Sequence, residues 1–159
     1  MFLAEVARPP VPAYALHQIL WGYFPGMERG EDRPFVYRVD PDRILMLSRR
    51  APACPALHLL PRIAAGRVLQ FEVLASAANS SKAQRRRRVP ITGNAERRAW
   101  LARRMDGAEI QFAQVFDRDD LKFKRPGGES IVVNRFSAVG ALRIIDRAAF
   151  VTAMLRGIG

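Results

Sequence analysis

The apolar and polar positions of residues 1–75 follow strand spacing in some segments and helix spacing in others. Residues 1–8 and 67–75 have strand composition, and residues 35–40 and 43–48 predict a hairpin around a Pro-Asp turn. Residues 57–63 are ambiguous. Apolar residues at helical spacing predict a helix over residues 13–24. Its predicted core face consists of Leu16, Ile19, Leu20, Tyr23 and Phe24.

The second half of the chain repeats this order of elements after a small, polar segment at residues 76–84. A short strand at 87–91 precedes a helix that Asn94 is expected to cap and that continues to about Met105. Further strands are predicted at 108–116, 121–124 and 129–145, with Gly140 as a bulge or bend. Asp146 is expected to cap a last helix, which Gly157 ends.

The repeated order predicts an α+β fold with tandem ferredoxin-like domains, the βαββαβ scaffold of RNA-recognition modules. We place an N-terminal domain at residues 1–80 and a basic C-terminal domain at residues 85–159. The second domain has no closing strand because the sequence stops at Gly159. We therefore expect it to be incomplete at its C-terminus, with one sheet edge open.

Positive charge is concentrated in the second half. The chain has 26 Lys and Arg against 15 Asp and Glu, a net charge of +11. Residues 1–80 have a net charge of +2 and residues 81–159 of +9, and residues 82–104 alone have +8. Arginine side chains bind phosphate bidentately and stack on bases. The clustering of basic residues at 82–104 therefore favours a nucleic-acid partner over a merely solvated basic face. A GC-rich genome would also favour arginine codons, but it would enrich arginine along the whole chain.

Other function classes are excluded by composition. No apolar run approaches the ~20 residues that span a bilayer, and the N-terminus lacks the pattern of a secretion signal, so we expect no membrane partner. Cys54 is the single cysteine, which excludes a disulfide scaffold and a cysteine-based zinc site and fits a reducing cytoplasm. We expect neither a metal nor another cofactor.

The first helix contains the candidate chemistry. His17 lies at the edge of the predicted core face, with Tyr14 and Trp21 on the same flank. Histidine can exchange a proton near neutral pH, as RNA cleavage by its own 2′-hydroxyl requires. From the pattern alone, a lone helical histidine beside aromatic residues is more often a packed residue. His58 has no comparable neighbours.

Three segments resemble the CasE-type CRISPR endoribonucleases, the repeat-processing subunits of the Cascade complex. They are Tyr14-Ala-Leu-His-Gln-Ile-Leu-Trp-Gly-Tyr-Phe-Pro25, Arg87-Arg-Val-Pro-Ile91 with Ala99-Trp-Leu-Ala-Arg103, and Gly140-Ala-Leu-Arg-Ile-Ile-Asp146 with Leu155-Arg-Gly-Ile-Gly159. The resemblance covers nearly the whole chain in the right order. Two features differ: the family continues beyond its Gly-Ile-Gly with a basic glycine-rich loop and a last strand, and it tends to have arginines and an Asn-Pro where this chain has residues 71–77.

The resemblance implies metal-independent cleavage of precursor CRISPR RNA at the 3′ base of the repeat stem-loop. It implies His17 as the general acid or base and Tyr14 as its orienting or leaving-group partner. The product would stay bound, and the protein, a monomer when isolated, would join the other Cascade subunits in cytoplasmic antiviral defence. The alternative is a non-catalytic RNA-binding or assembly subunit of the same fold.

The predicted RNA-binding residues come from the basic segments and the C-terminal block. On the helix after residues 82–88, Arg97 and Arg104 are expected to flank Trp100 on the exposed side, while Arg98 faces nearer the core. Trp100 itself is expected to pack at the core edge more than to stack on a base. The full predicted set is Lys82, Arg85, Arg86, Arg87, Arg88, Arg97, Arg104, Lys122, Lys124, Arg125, Gly157 and Gly159.

Overall fold

A computed structural model describes residues 1–27, 33–80, 88–124 and 130–158 of the 159-residue chain. The chain divides into two compact units. The first consists of Met1–Ala64 with Leu155–Gly157, and the second of Ala65–Met154 with the C-terminal residues from Ile158. Each unit has its own antiparallel sheet.

The first unit is built on a four-stranded sheet beside one helix. Its strands are β1 (Phe2–Ala7), β2 (Phe35–Val39), β3 (Arg43–Ser48) and β4 (Ala56–His58), and its helix is α1 (Ala13–Trp21). The strand order is β2-β3-β1-β4, and every neighbouring pair is antiparallel. The ambiguous segment of the sequence forms β4 and a single 3-10 turn at Leu60–Arg62.

The core of the first unit lies between α1 and the sheet. Leu16, Leu20 and Phe24 are buried there, packed against buried side chains of the strands: Ala4, Phe35, Ile44 and Met46. Two expectations for the helix are wrong. α1 ends at Trp21, since Gly22–Phe24 form a turn, and Ile19 is 42% exposed. Residues 16, 20 and 24 recur every four positions and form a narrower stripe than the sequence predicts.

The second unit has a three-stranded sheet and two helices. The sheet order is β5-β9-β8, with β5 (Val68–Ala75), β8 (Ala108–Lys124) and β9 (Ser130–Ile144). Both helices occur where a ferredoxin-like order requires them: α2 (Asn94–Arg104) before β8, and α3 (Arg147–Arg156) after β9. A separate antiparallel ribbon pairs β6 (Ala78–Ser80) with β7 (Arg88–Pro90).

The prediction of which strand opens the second sheet is wrong. The sequence pattern places 67–75 in the first domain and starts the second sheet at 87–91. Instead, β5 pairs with β9 along its whole length, from Val68 opposite Arg143 to Ala75 opposite Phe136. The predicted opening strand is β7, in the ribbon with β6, and β6 lies in a segment predicted to be a loop. The ribbon is therefore an insertion between β5 and α2.

The two predicted strands at 108–116 and 121–124 form one long strand, β8. Its pairing with β9 shifts register between Ile110 and Phe112 and again between Arg118 and Leu121. The extra residue of the first irregularity therefore lies on β8, whereas the sequence pattern predicted a bulge or bend at Gly140 of β9. Gly140 lies opposite Ala113, next to this irregularity, and a Cβ there would collide with the carbonyl oxygen of Phe112. Glycine allows this close approach of two backbones.

The helix ends of the second unit differ from one another. Asp146 caps α3 as predicted, because its carboxylate accepts hydrogen bonds from the backbone N–H of Ala148 and Ala149 at 2.8 and 3.1 Å. Asn94 is already the first residue of α2, and the N-cap is Gly93. Gly157 ends α3 with a φ of +83°, which favours glycine. In the part of the chain that is described, no helix is long and apolar enough to cross a membrane.

Candidate functional site

His17 is half-buried on α1, as the sequence predicts, and two aromatic rings hold it. The imidazole meets Trp21 edge-on, with ring centroids 6.3 Å apart, and lies tilted against Phe35 at 6.2 Å. Trp21 in turn meets Phe35 edge-on at 5.7 Å. The ring of His17 therefore has a restricted orientation, with one side against aromatic surface and one side towards water.

Phe35 supports this arrangement from the start of β2. It is only 1% exposed, and Phe24 stacks on its ring at 5.2 Å with an interplanar angle of 6°. Phe24 follows α1 by one turn of chain, so the helix and the first residue of β2 are packed together directly beside His17. Aromatic pairs of this kind contribute about 0.5–1.5 kcal/mol beyond the area they bury. The imidazole thus lies beside a buried pair of stacked aromatic rings.

Both ring nitrogens of His17 are available for proton exchange. Among the side chains that the structure describes, none hydrogen-bonds to this imidazole. A packed structural histidine buried in a core needs a partner for its polar nitrogens. The half-exposed position of His17 instead leaves these nitrogens to water or to a ligand.

Arg33 adds a positive charge that the sequence pattern does not indicate. Its side chain is exposed, and its guanidinium carbon lies 5.7 Å from the centre of the Phe35 ring. This is a cation–π contact with the same ring on which Phe24 stacks. His17 and Arg33 therefore contact the same ring. The only signal in the sequence was an Arg-Pro-Phe run entering a strand, which does not distinguish Arg33 from other surface arginines.

Tyr14 precedes His17 by three residues on α1, so their backbones share one flank of the helix. The Tyr14 side chain is outside the described part of the structure. Its role as a partner of His17 stays a prediction. His58 is exposed on β4 and stacks on Phe2 at a centroid distance of 4.9 Å.

The predicted exposure of the arginines on α2 is wrong for two of them. Arg97 is 1% exposed: its Nε donates to the carbonyl oxygen of Ile91 and its two terminal nitrogens to Asp117 and Asn134. The guanidinium also lies 5.3 Å from the ring of Phe136. Arg98, predicted nearer the core, is exposed. The internal partners of Arg97 occupy its guanidinium, which is consequently not free to meet an RNA phosphate.

Trp100 and Arg104 lie as the sequence predicts. Trp100 is buried and meets Phe136 edge-on at 6.0 Å, which confirms its packing role. Arg104 is exposed, and its guanidinium carbon is 5.4 Å from the Trp100 ring. The exposed arginines of α2 are thus Arg98, Arg103 and Arg104.

The other predicted RNA-binding residues are only partly described. Lys122 is exposed on β8, and Gly157 ends α3. Arg88 and Lys124 belong to β7 and β8, but their side chains are outside the described part of the structure. The remaining residues are wholly outside it: Lys82, Arg85, Arg86, Arg87, Arg125 and Gly159.

No group of three or more His, Cys, Asp or Glu side chains that could hold a metal ion occurs among the described residues. The chemistry available around His17 is proton transfer by an imidazole, next to a guanidinium that can neutralise an anion. A phosphodiester is a substrate for which that pair of groups is useful.

Comparison with known proteins gives a family and a fold. A family model described as CRISPR associated protein matches residues 7–159. No curated protein matches the sequence. The structure is similar to that of the CRISPR endoribonuclease Cse3 bound to a 19-nucleotide RNA, with a TM-score of 0.84 and 21% identity over 100% of this chain and 93% of that one.

Two further structures are similar over nearly the whole chain. The CRISPR-associated protein Cas6e from Escherichia coli K-12 has a TM-score of 0.74 and 24% identity, over 100% of this chain and 92% of that one. Thermus thermophilus Cse3 bound to an RNA representing a pre-cleavage complex has a TM-score of 0.76 and 21% identity, over 99% and 92%. These likenesses confirm the predicted tandem ferredoxin-like α+β fold.

Proposed function

Since the chain belongs to the family of CRISPR-associated proteins whose model covers residues 7–159, we propose that it processes CRISPR RNA. It binds the stem-loop of a CRISPR repeat and cuts precursor RNA at the 3′ base of the stem. The observation that carries this proposal is the half-exposed His17, held between Trp21 and Phe35 with no hydrogen bond to a described side chain. The similar Cse3 structures, in which an endoribonuclease is bound to RNA, support it.

The proposed reaction is an attack by the RNA on its own backbone. The 2′-oxygen forms a bond to phosphorus, and the bond from phosphorus to the leaving 5′-oxygen breaks. A base removes the proton of the 2′-hydroxyl, and an acid donates a proton to the 5′-oxygen. The products are a 2′,3′-cyclic phosphate, which can open to a 3′-phosphate, and a 5′-hydroxyl end.

His17 takes one of these two proton transfers, and Tyr14 orients it or assists the leaving group. The charge that develops on the phosphate during attack is stabilised by nearby cations. Arg33, on the same aromatic ring as His17, is in a position to contribute to this stabilisation. We expect the reaction to need no metal ion and therefore to proceed in EDTA.

After cleavage the protein keeps its product and joins the other Cascade subunits. Its basic C-terminal half supplies the electrostatic attraction to the RNA, through the exposed arginines of α2, Lys122 and the segment around Arg85–Arg88. We place this processing in the cytoplasm. When isolated from the other subunits, the protein is expected to be a monomer.

The decisive experiment compares the two histidines of the chain. Labelled repeat RNA is incubated in EDTA with the wild type, His17→Ala and His58→Ala. We expect His17→Ala to lower the cleavage rate about 10²- to 10⁴-fold, the usual contribution of a general acid or base, with RNA affinity kept. His58→Ala, an exposed residue on β4, is expected to cleave like the wild type. Unchanged cleavage by His17→Ala overturns the assignment.

A second substrate tests the attacking group. Repeat RNA with a single 2′-deoxynucleotide at the cleavage site should bind normally and stay intact, because it has no 2′-hydroxyl there. Cleavage of this RNA would show that water, and not the RNA itself, attacks the phosphate. Tight binding of natural repeat RNA without any cleavage by the wild type would favour the non-catalytic assembly subunit.

A further inference from the structure

The sheet of the second unit has a face opposite its core that is rich in exposed apolar residues. Val115 on β8 and Ala138 on β9 pair with each other and are buried, so the residues that alternate with them point away from the core. On β8 these residues are Phe112, Gln114, Phe116 and Arg118. Opposite them on β9 lie Ala141, Val139, Ser137 and Arg135. We call these eight residues the outer face.

Two aromatic rings are exposed on the outer face. Phe112 is 60% exposed and Phe116 is 40% exposed, and they lie about 13 Å apart along one strand. Val139, at 36% exposure, is opposite the residue between them. Isolated apolar side chains on a surface need no explanation, but aromatic rings grouped on one sheet face indicate a surface that binds something flat and apolar.

One end of the outer face places two positive charges opposite each other. Arg118 and Arg135 are direct cross-strand partners, an arrangement that destabilises an antiparallel sheet. At the other end of the same strands, Arg143 lies opposite Glu109, a pair of opposite charges. Among the described residues, neither Arg118 nor Arg135 forms an ion pair with a carboxylate. An anionic ligand would remove the repulsion between them.

Both guanidinium groups are oriented by their Nε atoms. Arg118 donates from Nε to the hydroxyl of Ser137 at 2.9 Å, and Arg135 donates from Nε to the carbonyl oxygen of Asp119 at 2.9 Å. That carbonyl is available because the strand bulges between Arg118 and Leu121, where Asp119 and Asp120 oppose Asn134. The terminal nitrogens of both arginines have no hydrogen bond to a described residue and are left to bind a ligand.

We propose that the outer face binds single-stranded RNA. The exposed rings of Phe112 and Phe116 stack on unpaired bases, and the terminal nitrogens of Arg118 and Arg135 bind the phosphate of a neighbouring nucleotide. Oriented cations next to flat aromatic rings match a nucleotide, which has an anionic phosphate and a flat base. An acidic protein segment would match the arginines but not the rings. This surface is independent of His17 and would bind RNA that has no hairpin.

The test uses an unstructured RNA of about 12 nucleotides, within the site size of single-strand binding surfaces. Its affinity is measured by fluorescence anisotropy in a background where Arg85–Arg88 are alanine, so that the basic segment does not mask the result. Phe116→Leu keeps the apolar bulk and removes the stacking surface, whereas Phe116→Trp keeps stacking. Arg118→Gln with Arg135→Gln removes the paired charges. Arg49→Gln with Arg50→Gln removes two adjacent exposed charges from the first unit and is the matched control.

Relative to the protein in which only Arg85–Arg88 are replaced by alanine, we expect Phe116→Leu to lose affinity about tenfold and Phe116→Trp to keep it. The double variant of Arg118 and Arg135 should lose at least as much and show a flatter dependence on salt, while the control variant of Arg49 and Arg50 changes little. His17→Ala should bind this RNA normally, which separates the proposal from the cleavage assignment. Urea unfolding checks that each variant is folded. If Phe116→Leu binds as tightly as the wild type, bases do not stack on this face, and a protein partner is the better occupant.

Discussion

Arg97 and Arg98 are consecutive residues of α2 with opposite environments. Arg97 points into the second unit and Arg98 into water. The local sequence does not distinguish the two positions, since it has four arginines in eight residues. Burial of Arg97 depends on acceptors from three other places in the chain, at Ile91, Asp117 and Asn134. Such long-range partners leave no periodic signal in the sequence. The pattern therefore predicted Arg97 to be exposed and Arg98 to face the core, which is the opposite of what the structure has. The position of His17 was predictable because it depends on spacing within one helix.

This difference predicts unequal effects of two alanine substitutions. Arg97→Ala should lower the free energy of unfolding by about 3 kcal/mol, because it leaves the buried carbonyl oxygen of Ile91 without its donor and a cavity beside Phe136. Arg98→Ala should change it by less than about 0.5 kcal/mol. Urea denaturation followed by circular dichroism measures both. Equal effects would mean that the network around Arg97 contributes nothing beyond a surface arginine.

The β2–β3 hairpin is closed by an ion-pair cluster around Asp40. Its carboxylate accepts hydrogen bonds from Arg38 on β2 at 3.0 Å and from Arg43 on β3 at 3.4 Å. Arg43 also reaches Glu5 on β1 at 3.1 Å. Mainly through its hydrogen bond to Arg38, this setting holds the pKa of Asp40 below its usual range. Three strands of the first sheet are therefore linked by charge at the hairpin end.

A lowered carboxyl pKa makes the contribution of Asp40 depend on pH. The stabilisation is present above the pKa of the unfolded chain, near 4, and is lost as pH falls through the lower pKa of the folded chain. Asp40→Asn should therefore cost about 1–2 kcal/mol at pH 7 and much less at pH 3. Thermal unfolding across this pH range measures it.

Asp42 in the same turn provides the control, since its carboxylate has no hydrogen bond to a described residue. Asp42→Asn should give a loss of stability that varies little with pH. A pH-independent loss in Asp40→Asn would argue against the charge cluster as the cause.

Most elements were predictable from local pattern, but their partners were not. The alternation in residues 67–75 identifies β5 as a strand, yet nothing local indicates that it pairs with β9. The Pro-Asp turn at 41–42 did predict the β2–β3 hairpin, because sequence neighbours pair there. Gly140 is a second case in which the local sequence does not identify the partner strand. The glycine correctly marks an irregular part of the sheet, but the extra residue lies on the neighbouring strand, β8.

For the molecule as a whole, charge and candidate chemistry are separated along the chain. His17 and Arg33 belong to the first 80 residues, with a net charge of +2, and most of the remaining positive charge follows residue 81. The separation of His17 from the basic segment could be predicted from the sequence, since it depends only on where these residues lie along the chain. The sequence could not predict that Arg97 is withdrawn from the basic surface.

Replacing Arg85–Arg88 by alanine should weaken hairpin binding and flatten its salt dependence. Each lost phosphate contact should reduce the slope of log affinity against log salt by about 0.7–0.9. Filter binding of repeat RNA at several salt concentrations measures this slope. An unchanged slope would mean that the basic segment is only solvated. Arg97→Met serves as the comparison, since a buried arginine should leave the slope unaltered even where stability falls.

The pairing of β5 with β9 also sets an order of folding during synthesis. Synthesis of the chain as far as His58 completes all four strands of the first sheet. That sheet and α1 can therefore assemble early. β5 must wait on the ribosome until residues 136–143 have emerged, since these are its partners. Long-range strand pairing of this kind is slow and exposes unpaired edges meanwhile. The histidine helix is thus built before the RNA-binding half of the chain can close its sheet.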